Sequence, residues 1–320
     1  MSAIVISLAA LTFVNYDFIS KDGYKDRLPP ILSKQNLYEE VWNHFKQEGR
    51  PCYQRFADFC RIDNDINLTR VHALSDSHLS SMSPQLVSSL GNEFNYLEIN
   101  TPGCPFVLNV NNYDANGNIF YGCSSDHQNF RLKSIEQKPS IILLGGRFHA
   151  YISSRSFVNK KVEEFGDIWL TFKSENNIPF VEEFKNTVQL LISQGHKVVL
   201  IYPIPEVGVS VPHYILNSIK GKSVSDMSSD FEILNTSYEV YQNRSKSTFE
   251  LFDSIQSPNI YRVYPHTLFC NKQLKGRCVT HDYDNVFYAD SDHPSAKGSE
   301  MIVELIMEQI NKAEVNIRGN

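Results

Sequence analysis

The sequence predicts an α/β fold, a doubly wound sheet of mainly parallel strands, and three observations predict it. Residues 140–144 and 197–202 are continuous apolar runs of strand length, as expected of strands buried on both faces. Between them, residues 181–194 place Phe184, Val188, Leu191 and Ile192 at helical spacing, and Gly195 closes the period. A strand followed by a helix recurs near both ends of the chain, and such alternation implies a parallel sheet whose ligands sit beyond the carboxyl ends of its strands.

Bulk properties set the frame. A chain of 320 residues can bury one sizeable core, so one large domain, alone or with an appendage, is expected. Hydrophobic residues at 42% and charged residues at 21% leave no room for extended disorder. The net charge of −6, without clustered Lys and Arg, argues against a phosphate-binding surface, so no nucleic-acid partner is expected.

Residues 1–14 open with about twelve mostly apolar side chains, fewer than the roughly twenty a spanning helix needs. They lack the positive residues that precede a signal-peptide core. A shortened anchor, a weak signal sequence and the end of a membrane helix all fit such a segment. Residues 15–34, with Gly23, Pro29 and Pro30, read as a linker, and the globular domain is expected over 35–320. Residues 70–74 form the first strand, Ser75-Asp76-Ser77-His78 a tight turn, and the segment to Leu90 a helix. Residues 221–243 are polar and Ser-rich, which predicts a surface excursion. A last strand at 260–264 precedes a last helix over 295–313, with Ser295 as its N-cap and Met301, Ile302, Leu305, Ile306 and Ile310 as its apolar face.

The six cysteines fall into three close pairs, Cys52 with Cys60, Cys104 with Cys123, and Cys270 with Cys278. An even count at short spacing predicts three local disulfides and an oxidising compartment, the alternative being six buried thiols. No pair has the spacing of a zinc knuckle, so no metal is expected. Sequons at Asn67, Asn235 and Asn243 would matter only in a eukaryotic secretory pathway.

Ser77 stands where the first strand meets its helix, so its hydroxyl projects at the carboxyl edge of the sheet. The N–H groups of the helix terminus there suit a developing oxyanion. Serine needs a base, and Tyr288-Ala-Asp290-Ser-Asp292-His293-Pro-Ser295 supplies one just before the last helix. An Asp three residues ahead of a His can turn back to hold the imidazole while its other nitrogen faces the serine. Asp76-Ser77 could instead be only a helix cap, and Asp290 and His293 only turn residues.

Asp76-Ser77-His78 early and Asp290 with His293 late resemble the SGNH/GDSL hydrolase superfamily, and specifically the SGNH domain fused to acyltransferase-3 membrane proteins. Lys21-Asp-Gly-Tyr-Lys-Asp-Arg27-Leu-Pro29 is similar to that family's linker from its last membrane helix. Ile201-Tyr-Pro203-Ile-Pro205-Glu-Val-Gly208, Gly146-Arg147-Phe148-His-Ala-Tyr151 and the Cys270 and Cys278 pair resemble further blocks. The likeness runs from about residue 15 to the end of the chain. It implies a three-layer α/β/α, flavodoxin-like sheet and O-acylation, usually O-acetylation, of a cell-envelope glycan such as O-antigen. Ser77 would carry the acyl group, His293 would move the proton, and Asp290 would orient His293. The partners implied are a glycan acceptor, an acyl donor and an acyltransferase-3 membrane protein, with no cofactor. The domain would be periplasmic or otherwise extracytoplasmic and membrane-associated, which makes the apolar start the end of a membrane helix.

Departures from the family pattern matter as well. Ser75 stands where Gly is usual and Pro294 where Leu is usual. Gly103 is the candidate second-block glycine. The third-block Asn has no match at Gly145-Gly146-Arg147, which leaves Arg147 or backbone groups as oxyanion donors. A carbohydrate O-acetyl esterase with the same triad, and a catalytically inactive glycan- or partner-binding module, are the competing readings.

Overall fold

The computed structural model describes residues 15–17, 19–20, 46–47, 49–52, 59–114, 116–153, 155–156, 166–167, 171–219 and 233–319. Its central sheet is built from β1 (Cys60–Ile62), β2 (Arg70–Ala73), β3 (Asn95–Glu98), β4 (Ile141–Leu144), β5 (Lys197–Ile201) and β6 (Ile260–Val263). These lie in the order β6-β5-β4-β2-β3-β1, all neighbours parallel except β1, which runs antiparallel to β3.

The continuous apolar strands follow from burial on both faces. Along β4, Ile141 and Leu143 face one layer while Ile142 and Leu144 face the other, and all four are buried. The first layer holds α1 (Ser77–Leu90), through Leu79, Met82 and Leu86, and α8 (Ala296–Arg318), through Ile302, Ile306 and Ile310. The second holds α3 (Phe148–Ser153), α4 (Phe180–Ser193) and α6 (Tyr238–Ser254), whose Phe148, Phe184 and Phe252 rings meet edge to face or stacked at centroid distances of 4.7–5.3 Å. The three-layer α/β/α sheet is therefore the one expected.

Strand order reverses beside β2. The chain passes from β2 to β3 on one side, then returns to place β4 on the other, so a crevice opens between the carboxyl ends of β2 and β4. The turns after these two strands carry Ser77 and Gly145-Gly146-Arg147.

Two expectations are corrected. The surface excursion over 221–243 does not hold for its second half, where Asn235–Ser237 pairs with Arg277–Val279 and α6 begins at Tyr238. The Ser237 hydroxyl caps that helix by accepting from the Val240 N–H, and Tyr241 packs against Cys270 and Cys278, so polar residues here start a helix. Residues 221–232 lie outside the described residues. The last helix continues past Ala313 to Arg318, with Ala313 buried.

The three cysteine pairs are disulfides, with Cα separations of 5.4 Å for Cys52–Cys60, 5.5 Å for Cys104–Cys123 and 3.8 Å for Cys270–Cys278. By loop-closure entropy the Cys104–Cys123 bond, across 19 residues, contributes about 3 kcal/mol. The apolar segment 1–14 lies outside the described residues, and residues 15–17 and 19–20 of the expected linker are helical. Among the described residues no helix is long and apolar enough to cross a membrane.

Candidate active site

The turn between β2 and α1 is held from three sides. Ser75 is buried, its N–H donating to Asn100 Oδ1 at 2.7 Å and its hydroxyl to the Gly145 carbonyl at 2.8 Å. A glycine at this position could not tie the two crevice turns together in that way. Asp76 is the N-cap of α1, accepting from the His78 N–H at 2.9 Å, the Arg147 N–H at 2.8 Å and the Tyr151 hydroxyl. Ser77 follows as the first helical residue, half-buried, with its backbone N–H among those an α-helix leaves without an internal partner.

Gly146 is required beside this turn. Its φ is +115°, and a Cβ there would lie 2.2 Å from Asp76 Oδ2. The Gly146→Ala variant is expected to lose about 3 kcal/mol from combined strain and overlap, read as a lowered thermal midpoint. An unchanged midpoint would show that the turn yields without cost.

The second loop precedes α8. Asp290 Oδ1 accepts from the N–H groups of Asp292 at 2.9 Å and His293 at 2.8 Å, which fixes the loop on its own carboxylate. Asp290 Oδ2 lies 2.8 Å from His293 Nδ1, and because a carboxylate only accepts, Nδ1 carries the hydrogen. The other ring nitrogen, Nε2, lies 2.9 Å from Ser77 Oγ. Ser77, His293 and Asp290 thus form one chain of hydrogen bonds between residues 216 positions apart at its first link. Asp292 Oδ1 is 3.7 Å from Nδ1, so Asp290 is the closer orienting group.

Asp292 is occupied elsewhere. Its Oδ2 lies 3.2 Å from His78 Nε2 and 3.2 Å from Arg147 Nη1. Arg147 also grips Glu206, through Nε at 2.8 Å and Nη2 at 3.0 Å, and His149 Nε2 reaches the same carboxylate at 2.9 Å. All three guanidinium nitrogens therefore face carboxylates. Burial would raise the Glu206 carboxyl, but Arg147, His149 and Arg244 hold it well below the usual range. Burial alone would lower the His293 imidazole. The charge of Asp292 and the hydrogen bond and charge of Asp290 outweigh both burial and Arg147, and raise it to about 9.

The structure thus brings Ser77, Asp290 and His293 together and sets Arg147 in the network behind them. Gly103, with φ of +62°, sits in the turn over 101–104, which is tied to the turn bearing Ser77 by Thr101 N–H to Ser75 O at 3.1 Å. Sequence reasoning missed Asn100 and assigned no role to Tyr151 or Glu206, which lie in the blocks that carry the family resemblance. Glu206 follows a strand at the sheet's carboxyl edge, where charged side chains reach a site, and that position was the available signal. Among the described residues His78, Asp292 and His293 offer ligand-type atoms within 4.8 Å of one another, but His293 is already committed to Asp290 and Ser77, so the trio reads as part of the hydrogen-bonded site.

The family model described as SGNH domain (fused to AT3 domains) matches residues 44–308. No curated protein sequence is significantly similar to the chain. Among solved structures, the periplasmic domain of a lipopolysaccharide acetyltransferase from Salmonella ser. Paratyphi A is similar with a TM-score of 0.50 and 15% identity, over 77% of this chain and 85% of that one. A GDSL-like lipase from Bacteroides thetaiotaomicron has a TM-score of 0.39 and 12% identity, over 77% of this chain and 89% of that one. An acetyl xylan esterase has a TM-score of 0.39 and 11% identity, over 75% of this chain and 98% of that one. At 15% identity the likeness to the Salmonella domain speaks for the fold alone.

Proposed function

The chain belongs to the SGNH domain family of the kind fused to AT3 domains, and from that premise we propose that it transfers an acyl group, in the first instance acetyl, to a hydroxyl of a cell-envelope glycan through an acyl-serine. The observation that carries the reading is the unbroken chain from Ser77 Oγ to His293 Nε2 at 2.9 Å and from His293 Nδ1 to Asp290 Oδ2 at 2.8 Å. Such a chain turns a weak nucleophile into a competent one and keeps the imidazole in the tautomer that accepts a proton at Nε2.

The chemistry runs in two halves. Ser77 Oγ attacks the donor's carbonyl carbon as its proton passes to His293 Nε2. The Ser77 N–H and the turn bearing Gly103 meet the oxyanion, since the guanidinium of Arg147 is held by Glu206 and Asp292. The donor's leaving group departs with the proton from Nε2. The acceptor hydroxyl then gives its proton to Nε2 and attacks the acyl-serine, and Ser77 leaves with that proton.

An acyltransferase-3 membrane protein would supply the acyl group, and the domain would work outside the cytoplasm, where its three disulfides persist. A fluorophosphonate should form one adduct, at Ser77. An intact protein that stays unlabelled would mark a binding module instead. Given 4-nitrophenyl acetate and glycosides together, a transferase yields acetylated glycoside. Released acetate that accounts for all the ester consumed would assign an esterase.

A further inference from the structure

A cleft of about 530 Å³, within the range of small-ligand sites, meets the triad at Asp290. One wall is the 290–292 loop with Arg147, and the other is α5 (Val211–Ile219), which presents His213, Tyr214 and Asn217. Resting on the acyl-transfer reading above, we propose that this cleft seats one uncharged pyranose of the acceptor, with the Tyr214 ring as its stacking face.

The first argument is rigidity. Val211 and Ile215, one helical turn apart, are fully buried in the core, so α5 turns His213, Tyr214 and Asn217 outward. The N–H of Val211 donates to the Asp290 carbonyl at 3.2 Å, and the N–H groups of Val207 and Gly208 donate to the Ser291 carbonyl at 2.8 and 3.3 Å. The α5 wall and the loop that carries Asp290 and His293 are therefore one piece. A ring seated on α5 is held at a fixed distance from the nucleophile, which is what selects one hydroxyl of a polyol over its neighbours.

The second argument is chemistry. Tyr214 is 36% exposed, a large aromatic surface turned toward water at the edge of the site. A pyranose presents an apolar face of C–H groups and a rim of hydroxyls, and an aromatic ring beside amide and imidazole groups matches both.

The third argument is charge. Asp290 and Asp292 line the cleft, and the Arg147 cation, which would attract an anion, is already shared by Glu206 and Asp292. A uronate or phosphorylated sugar would find that guanidinium already paired and two carboxylates beside it, so the cleft selects against acidic residues of the glycan.

The test uses the full chain acetylated by 4-nitrophenyl acetate, with methyl α-glucopyranoside, galactopyranoside, mannopyranoside and methyl glucuronide as acceptors. The readout is the partition of the acetyl group between glycoside and water, a ratio internal to one acyl-enzyme that folding losses do not move. Neutral glycosides should be acetylated at least tenfold better than the glucuronide. The Tyr214→Ala variant should lower the neutral-glycoside partition about tenfold, and Tyr214→Phe should preserve it. Transfer to the glucuronide but to no neutral glycoside, preference for the glucuronide, or a partition indifferent to Tyr214→Ala would each overturn the assignment. A chain that releases no 4-nitrophenol, or that passes its acetyl group to water alone, would instead sink the acyl-transfer reading beneath it.

Discussion

Replacing Ser77 with alanine should lower turnover of 4-nitrophenyl acetate by at least about a thousandfold and abolish the fluorophosphonate adduct, with the thermal midpoint nearly unchanged. The rate loss follows from geometry, because the Ser77 hydroxyl is the oxygen joined to His293 Nε2 at 2.9 Å. The stability expectation follows from the helix start. The cap of α1 is the Asp76 carboxylate, held by the Arg147 and Tyr151 donors, and Ser77 is the position after it, where alanine is a good helix former. Asp290→Asn makes the informative companion. An amide at that position can offer Nδ2 to the ring and favour the wrong tautomer, which in a triad costs about as much as losing a partner outright. A Ser77→Ala protein within tenfold of the parent would remove the nucleophile from the proposal, whatever the distances.

The site was legible in the sequence as far as its signals were local. Ser77 follows a strand and opens a helix, and Asp290 with His293 precedes one, so both loops could be placed at the carboxyl edge from periodicity and caps alone. The roles of the supporting residues were not legible, because their meaning lies in pairings across the fold. Arg147 meets Glu206 across 59 positions and His78 meets Asp292 across 214, and neither pair leaves a trace in spacing. Knowing that β4 lies beside β2 and β5 beyond it is what sets Arg147 and Glu206 around the same crevice. The stretch at 221–243 misled for another reason. Its polar residues hide the start of an amphipathic helix whose buried side chains, Tyr241, Thr248, Leu251 and Phe252, mostly fall beyond the stretch itself. Ser75 shows the same limit in miniature. A side chain in place of glycine looks like crowding until its hydroxyl is seen to reach the Gly145 carbonyl.

The same long-range pairings lead to an alkaline pH profile. His293 must be neutral to take the Ser77 proton, and the carboxylates around it hold its proton up to about 9. Below that value the imidazolium dominates and its Nε2–H donates to Ser77 Oγ, the reverse of what attack requires. Values of kcat/KM for an uncharged acetyl ester, corrected for spontaneous hydrolysis, should therefore fall roughly fiftyfold from pH 9 to pH 7. Among the described residues, Asp290, Asp292, His78 and Arg147 bear on His293, and they do not act alike. Asp290 orients the ring and Arg147 opposes its charge, so the group that raises the proton's affinity without orienting the ring is Asp292 at 3.7 Å. Asp292→Asn keeps the volume and removes the charge, and should move the rising limb toward the ordinary imidazole range. The maximal rate should fall as well, because the imidazolium that forms on attack loses a stabilising neighbour. A limb at the same pH in parent and variant would mean that Asp292 is spent on Arg147 and His78 and has no hold on the base. A rising limb near neutrality in the parent would mean that the two carboxylates together fail to keep the proton. Either result would separate the architecture of the loop, which fixes where the imidazole points, from its electrostatics, which fixes when the imidazole can act.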